Sequence, residues 1–227
     1  LYSRMQSDYP MCALQAKERW DACLPSPLAP QQWSFCCALT GALSPNCRFC
    51  MIYFKYLHQS YYTPQFLFKS QLRADSRCER CQAENVDFVH LAWLCEPIAA
   101  YRIDIFQALS DMVGVVIVPI VLLVLLGCVM DYKSLQCRFL ALALLMAKHR
   151  VSVHWYRGPI PTLKAWLRNL VYCCDTFEAY SDYLPVASCP KEIWGPLQDY
   201  LRTHPDPASV ADIDTGALPP SADGTVP

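Results

Sequence analysis

Four residues in one short stretch have the types and the spacing to hold a metal ion: Cys78, Cys81, His90 and Cys95. They lie in RCERCQAENVDFVHLAWLCEP, residues 77–97, spaced C-x2-C-x8-H-x4-C. A tight turn between two cysteines two residues apart leaves both sulfurs facing one point. A histidine and a third cysteine then complete a tetrahedral set of the kind Zn2+ prefers. All four positions are filled by protein, so the site is expected to be structural. A catalytic zinc would keep a position open for water.

The remaining residues bound what the metal stretch can serve. The 227 residues suffice for one domain or two small ones with a real core. The chain opens at Leu1 and not Met, so it is expected to be a piece of a longer protein. Its net charge is -1, unevenly spread. Residues 1–174 hold 17 basic and 11 acidic residues, a net of +6, and the acidic remainder masks this mildly basic body. Such a body attracts polyanions but is not the basic stripe of a dedicated nucleic-acid binder. Fourteen cysteines would also suit a disulfide scaffold, but those are usually shorter and secreted, and no signal peptide opens the chain. The metal spacing favours a reducing compartment. Cys36-Cys37 and Cys173-Cys174 sit in apolar helical patterns and read as small core hydrophobes.

Seven glycines, eighteen prolines and many Leu, Ala and aromatics predict a mainly α fold punctuated by prolines. The expected architecture is a helical bundle around a small CCHC zinc-knuckle-like module, with a short extended apolar segment and a disordered C-terminal tail. Helical periodicity predicts helices over 11–24, 31–43, 46–60 and 64–70. Ser44-Pro45 and Thr63-Pro64 are their cap-plus-proline starts. Beyond the metal stretch, helices are expected from Pro97 to about Val113, from Asp131 or Ser134 to about Trp155, and over 162–184. The buried stripe of the second is Leu135, Phe139, Leu142, Leu145 and Met146. A last helix over 191–201 is interrupted at Gly195-Pro196, and 202–227 are expected to be disordered. The segments are thus 1–76, 77–130, 131–201 and the tail. Between two of the helices runs VGVVIVPIVLLVLLGCVM, residues 113–130. Its length just meets that of a membrane span. Pro119, the flanking glycines and the β-branched first half suit a buried extended segment or strand pair at least as well.

The order of these signals resembles the C-terminal region of the second open-reading-frame protein of LINE-type (non-LTR) retrotransposons, beyond the reverse transcriptase palm. The family's K-x-L-H-R-x-Y-x-T-P segment corresponds to Lys55-Tyr56-Leu57-His58-Gln59-Ser60-Tyr61-Tyr62-Thr63-Pro64, with Gln59 in place of the basic residue. Its cysteine motif corresponds to Cys78-Glu79-Arg80-Cys81 and then Phe88-Val89-His90-Leu91-Ala92-Trp93-Leu94-Cys95-Glu96-Pro97. Leu125-Leu126-Gly127, Pro161-Thr162-Leu163-Lys164-Ala165-Trp166 and Trp194-Gly195-Pro196-Leu197-Gln198-Asp199-Tyr200-Leu201 follow in family order. The resemblance covers roughly residues 17–201 and treats the apolar run as a connecting segment. It implies a zinc-stabilised accessory region that helps a reverse transcriptase hold template RNA or target DNA. The implied partners are RNA or DNA and the reverse transcriptase domain of the same polyprotein. The implied location is a cytoplasmic ribonucleoprotein and the nucleus.

Polymerase chemistry needs metal-holding aspartates, and no Asp-Asp pair occurs in the chain. Its only Pro-Asp, Pro205-Asp206, lies in the tail, so this chain is not expected to be an enzyme. Candidate phosphate contacts are Lys55, His58, Arg73, Arg77, Arg80, Lys148, Arg150 and Arg157, and Tyr61 or Trp93 could stack on bases. The alternative for the basic residues is a solvated face, and for Trp93 it is core packing. Two other readings of the whole chain stand: a protein anchored through 113–130, and a helical protein-interaction domain from a decayed or co-opted element.

Overall fold

The computed structural model describes residues 10–204, apart from 43, 45, 128–133, 156–157 and 181–190. Among these residues the fold is helical and no strand forms. The helices are α1 (Pro10–Asp21), α2 (Pro30–Ala42), α3 (Cys47–Leu57), α4 (Pro64–Lys69), α5 (Glu96–Val113), α6 (Val121–Leu126), α7 (Leu135–Val153), α8 (Leu163–Tyr180) and α9 (Gly195–Thr203). The expected tail beyond 204 lies outside the described residues.

Helix α7 is the axis. Ala141 to Met146 are buried without a break, together with Phe139, Lys148 and Val151, so this helix meets protein on nearly every side. It packs against α3, α5, α8 and the 3-10 turn Lys191–Trp194. Leu135, expected in its stripe, is 42% exposed, because the helix reaches its neighbours only from about Cys137 onward. Polar handles on large side chains fix the packing. Trp166 Nε1 donates to the Ala143 carbonyl, tying α8 to α7 at 2.9 Å. Tyr53 Oη donates within the buried core toward the carbonyls of Cys36 (2.9 Å) and Leu126 (2.7 Å), holding α3 against α2 and α6. Cys36, Cys37, Cys173 and Cys174 are buried as core residues.

Local chemistry sets the boundaries. Thr63 caps α4 as expected, its Oγ1 accepting from the Phe66 N–H. The cap of α3 is Asn46 and not Ser44: Asn46 Oδ1 accepts from the Arg48 N–H, while Ser44 Oγ accepts from the Asn46 N–H. Gly195-Pro196 opens α9 rather than interrupting a helix, since proline at the first turn leaves no donor unmet.

The apolar run behaves differently from either expectation. Gly114 ends α5 in the left-handed conformation, residues 115–120 form neither helix nor strand, and α6 is a single short helix ended by Gly127. Among the described residues no helix is long and apolar enough to cross a membrane. The connecting part is neither buried nor strand-paired, with Val116 88% and Val118 64% exposed. Pro119 withholds a ladder donor, and among the described residues no neighbouring edge pairs with it.

Candidate metal centre

The stretch between Ser76 and Val86 folds into a knuckle. The Cys78 N–H donates to the Ala83 carbonyl at 2.8 Å, and the Gln82 N–H donates back to the Cys78 carbonyl at 2.9 Å. Gln82 and Asn85 take positive φ angles of 62° and 53° to close it. Asn tolerates that region well, and Gln82 is held there by the two bonds just named. The Val86 N–H donates to the Ser76 carbonyl, sealing the base of the loop at 3.0 Å.

His90 and Cys95 come from the far side on a π-helical turn, His90–Leu94. In an ordinary α-helix residues five apart point about 140° away from each other. The wider turn, closed by the Cys95 N–H donating to the His90 carbonyl at 2.8 Å, brings both side chains toward the knuckle. Asp87 starts the turn, its Oδ1 accepting from the His90 N–H at 2.7 Å. Cys95 then leaves helical geometry and becomes the residue before α5.

The four ligand atoms all lie within 4.8 Å of one another. Cys78 Sγ and Cys95 Sγ are 3.8 Å apart, and Cys81 Sγ and His90 Nε2 are 3.2 Å apart. Metal–sulfur bonds of about 2.3 Å in a tetrahedron place two sulfurs about 3.8 Å apart. The donor set therefore fits one ion. Cys78 and Cys95 are buried, and Cys81 and His90 are half-buried. Burial, then the neighbouring Cys78 and Cys81 sulfurs, push the Cys95 thiol up to about 12. Burial also raises the Cys78 thiol, but N–H groups of Cys81 and Arg80 aimed at it prevail and lower it. Burial, reinforced by Arg80 and opposed by Asp87, holds His90 below its ordinary value, which favours the neutral imidazole a metal needs.

The centre is fastened to the helical body by side chains of the same stretch. Phe88 is buried with its ring 5.2 Å from Trp155, 5.4 Å from Tyr56 and 5.9 Å from Trp20. Arg80 reaches from inside the knuckle to the carbonyls of His154 and Trp155, the second at 2.7 Å. Carbonyls past a helix end have no intrahelical donor, and a guanidinium meets both their hydrogen bonds and the helix dipole. Arg80→Ala is expected to lower stability by about 2 kcal/mol while leaving one metal per chain. Thermal unfolding beside metal analysis tests this. Unchanged stability would show that the contact is idle.

The other candidate contacts do not gather into one basic face. Arg73 is 16% exposed and bridges to Asp75 and Glu79 at 3.2 and 3.3 Å. Arg77 is exposed and pairs with Glu84 at 3.2 Å. The Lys55 amine lies over the Tyr61 ring, 5.2 Å from its centroid. His58 is half-buried against Phe54, and Arg19 donates to its carbonyl at 2.9 Å. Arg150 is half-buried on α7, and Arg157 lies outside the described residues. Lys148 is 4% exposed, so in this fold it does not meet a phosphate at the surface. It sits on the core side of α7, a position that its polar neighbours His149 and Arg150 disguise in the sequence. Tyr61 packs on Trp155 at 4.7 Å, and the Arg102 guanidinium covers the Trp93 ring at 3.6 Å, so neither ring is free for a base. Tyr62 and Phe66, passed over in the sequence, are exposed instead. Comparison with protein-family models, curated proteins and solved structures gave no match for this chain.

Proposed function

We propose that this chain is a non-catalytic accessory region of a LINE-type reverse transcriptase, organised by a structural Zn2+ and holding RNA or DNA. The observation that carries the reading is the convergence of Cys78, Cys81, His90 and Cys95 to within 4.8 Å, in the order of the motif on which the resemblance rests. Three thiol ligands and one imidazole favour zinc over the harder ions, and the closed set leaves the metal no water to activate. Zinc bound there supplies no chemistry beyond fixing Cys78, Cys81, His90 and Cys95 in place. The net charge of +6 over residues 1–174 supports affinity for phosphates.

Binding of the full chain to 20-nucleotide RNA and DNA across a salt series tests the reading. Three phosphate contacts predict about a twentyfold loss of affinity for a single strand between 50 and 200 mM salt. Absent or salt-indifferent binding by the zinc-loaded chain would sink it. A helical protein-interaction domain is then the better description. That second reading draws on Arg73, Arg80 and Lys148, whose charged groups are engaged within the fold.

A further inference from the structure

We infer that Tyr62 and Phe66 form a stacking platform for the unpaired bases of single-stranded nucleic acid, with Lys69 beside it for the backbone phosphates. This rests on the nucleic-acid reading above and names the form of the ligand. Tyr62 is 66% and Phe66 50% exposed, and their rings stack with centroids 5.6 Å apart and planes at 27°. Two large rings held in water against each other bury little, which is unusual in a fold that packs Tyr56, Tyr61, Phe88 and Trp155 together a few residues away. Their backbone is anchored on three sides. Trp155 Nε1 donates to the Tyr62 carbonyl at 2.7 Å, Thr63 caps α4, and the Gln65 N–H donates to the carbonyl of Val86 in the knuckle at 3.1 Å. A pair on so firm a base presents its faces with little further ordering on binding.

The surrounding charge selects the occupant. No Asp or Glu occurs from residue 22 to 74, the segment that carries the pair together with Arg48, Lys55 and Lys69, while Arg73 is held by Asp75 and Glu79. Lys69 is exposed and stands three residues after Phe66 on α4, on the same side of that helix. Aromatic faces with an adjoining cation suit a polyanion whose bases are free to stack. A duplex hides those faces between its base pairs. The other exposed apolar stretch, Val115–Ile120, offers no aromatic face and follows the exposed Asp111.

The experiment is fluorescence anisotropy of the full chain with labelled dT20, U20, a 20-base-pair duplex and a 20-unit abasic strand. The single strands are expected to bind more tightly than the duplex or the abasic strand. Tyr62→Ala and Phe66→Ala are each expected to weaken single-strand binding about five- to a hundredfold, while Tyr62→Phe restores it. Lys69→Ala is expected to reduce the salt slope by about 0.7. Both aromatic positions are exposed, and circular dichroism with metal content confirms that the variants stay folded. Alanine variants that bind single strands like wild type, or equal affinity for duplex and dT20, overturn the platform and leave the nucleic-acid reading standing. No binding to any strand overturns both. Binding only to phosphatidylserine vesicles, abolished by Tyr62→Ala, makes the surface a lipid site and overturns the inference.

Discussion

Replacing Cys78 by serine is expected to abolish metal binding and to unfold the stretch from about residue 70 to 100. Structural zinc sites contribute roughly 10–16 kcal/mol of apparent binding energy, which in such loops is folding energy. Cys78 and Cys95 are the buried centre of the loop; Phe88 and Arg80 tie its rim to the helical body, and the exposed pair Arg77–Glu84 contributes about 1 kcal/mol at most. His90→Ala should do the same, because three thiolates without the imidazole leave the set open. The helical body has its own core, so it should persist with a lowered melting point. The damage should spread to Phe88, which docks the loop on Trp155 and Tyr56. Cys47→Ser, at an exposed cysteine on α3, is the control expected to keep full metal content. Metal analysis and thermal unfolding with and without a chelator read the result. A well-folded wild-type chain that holds no zinc and ignores the chelator would show that the four residues are no metal centre.

The second large effect has the opposite sign. Lys148→Met is expected to stabilise the protein by about 3 kcal/mol at pH 7, a rise in melting point of roughly 6–12 °C. The Lys148 amine is buried 5.0 Å from the Tyr53 ring centroid and 5.8 Å from that of Tyr56, beside a cavity of about 30 Å3. Burial, opposed only by Cys36, pulls it down to about 7. In the unfolded chain a lysine titrates near 10.4. Between those values the folded state binds fewer protons than the unfolded one, so stability must rise with pH from about 7 to about 10. Giving up the proton at pH 7 costs about 4 kcal/mol, and the amine's attraction to the two rings, absent in the variant, reduces the net gain. Methionine has nearly the same volume and needs no solvation. Chemical denaturation from pH 6 to 10 is the test: the wild type should become more stable as pH rises and the variant should stay flat. A destabilised variant would mean that the amine is held as a partner and is not a burden.

The two sites differ in how far the sequence discloses them, and the reason is the range of the interactions involved. The Cys/His set is local, so residue types and gaps suffice to name all four members of the cluster. The helices follow from periodicity for the same reason, and the cap at Thr63 from its proline. Lys148 sits in the run Lys148-His149-Arg150, which reads as a solvated helix end, yet α7 runs on to Val153 with α3 packed over that face. Arg80 reads as a phosphate contact because its partners, His154 and Trp155, lie more than seventy residues away. Exposure is equally hidden. Tyr61 and Tyr62 are identical neighbours, and only the placement of Trp155, Tyr56 and Lys55 around the first decides that one is covered and the other is not. The π-helical turn leaves no periodic trace, since it spans only five residues.

The separations along the chain also set the conformational entropy of assembly. The metal set closes a loop of 17 residues from Cys78 to Cys95, whereas the bond from Trp155 to Tyr62 closes one of 93. Loop-closure entropy grows with the logarithm of length, so the shorter closure forfeits about 1.5 kcal/mol less. A metal held by these four residues would thus order the segment that is cheapest to order. The longer closure falls to the burial of Phe88, Tyr56, Tyr61 and Trp155, side chains large enough to offset it.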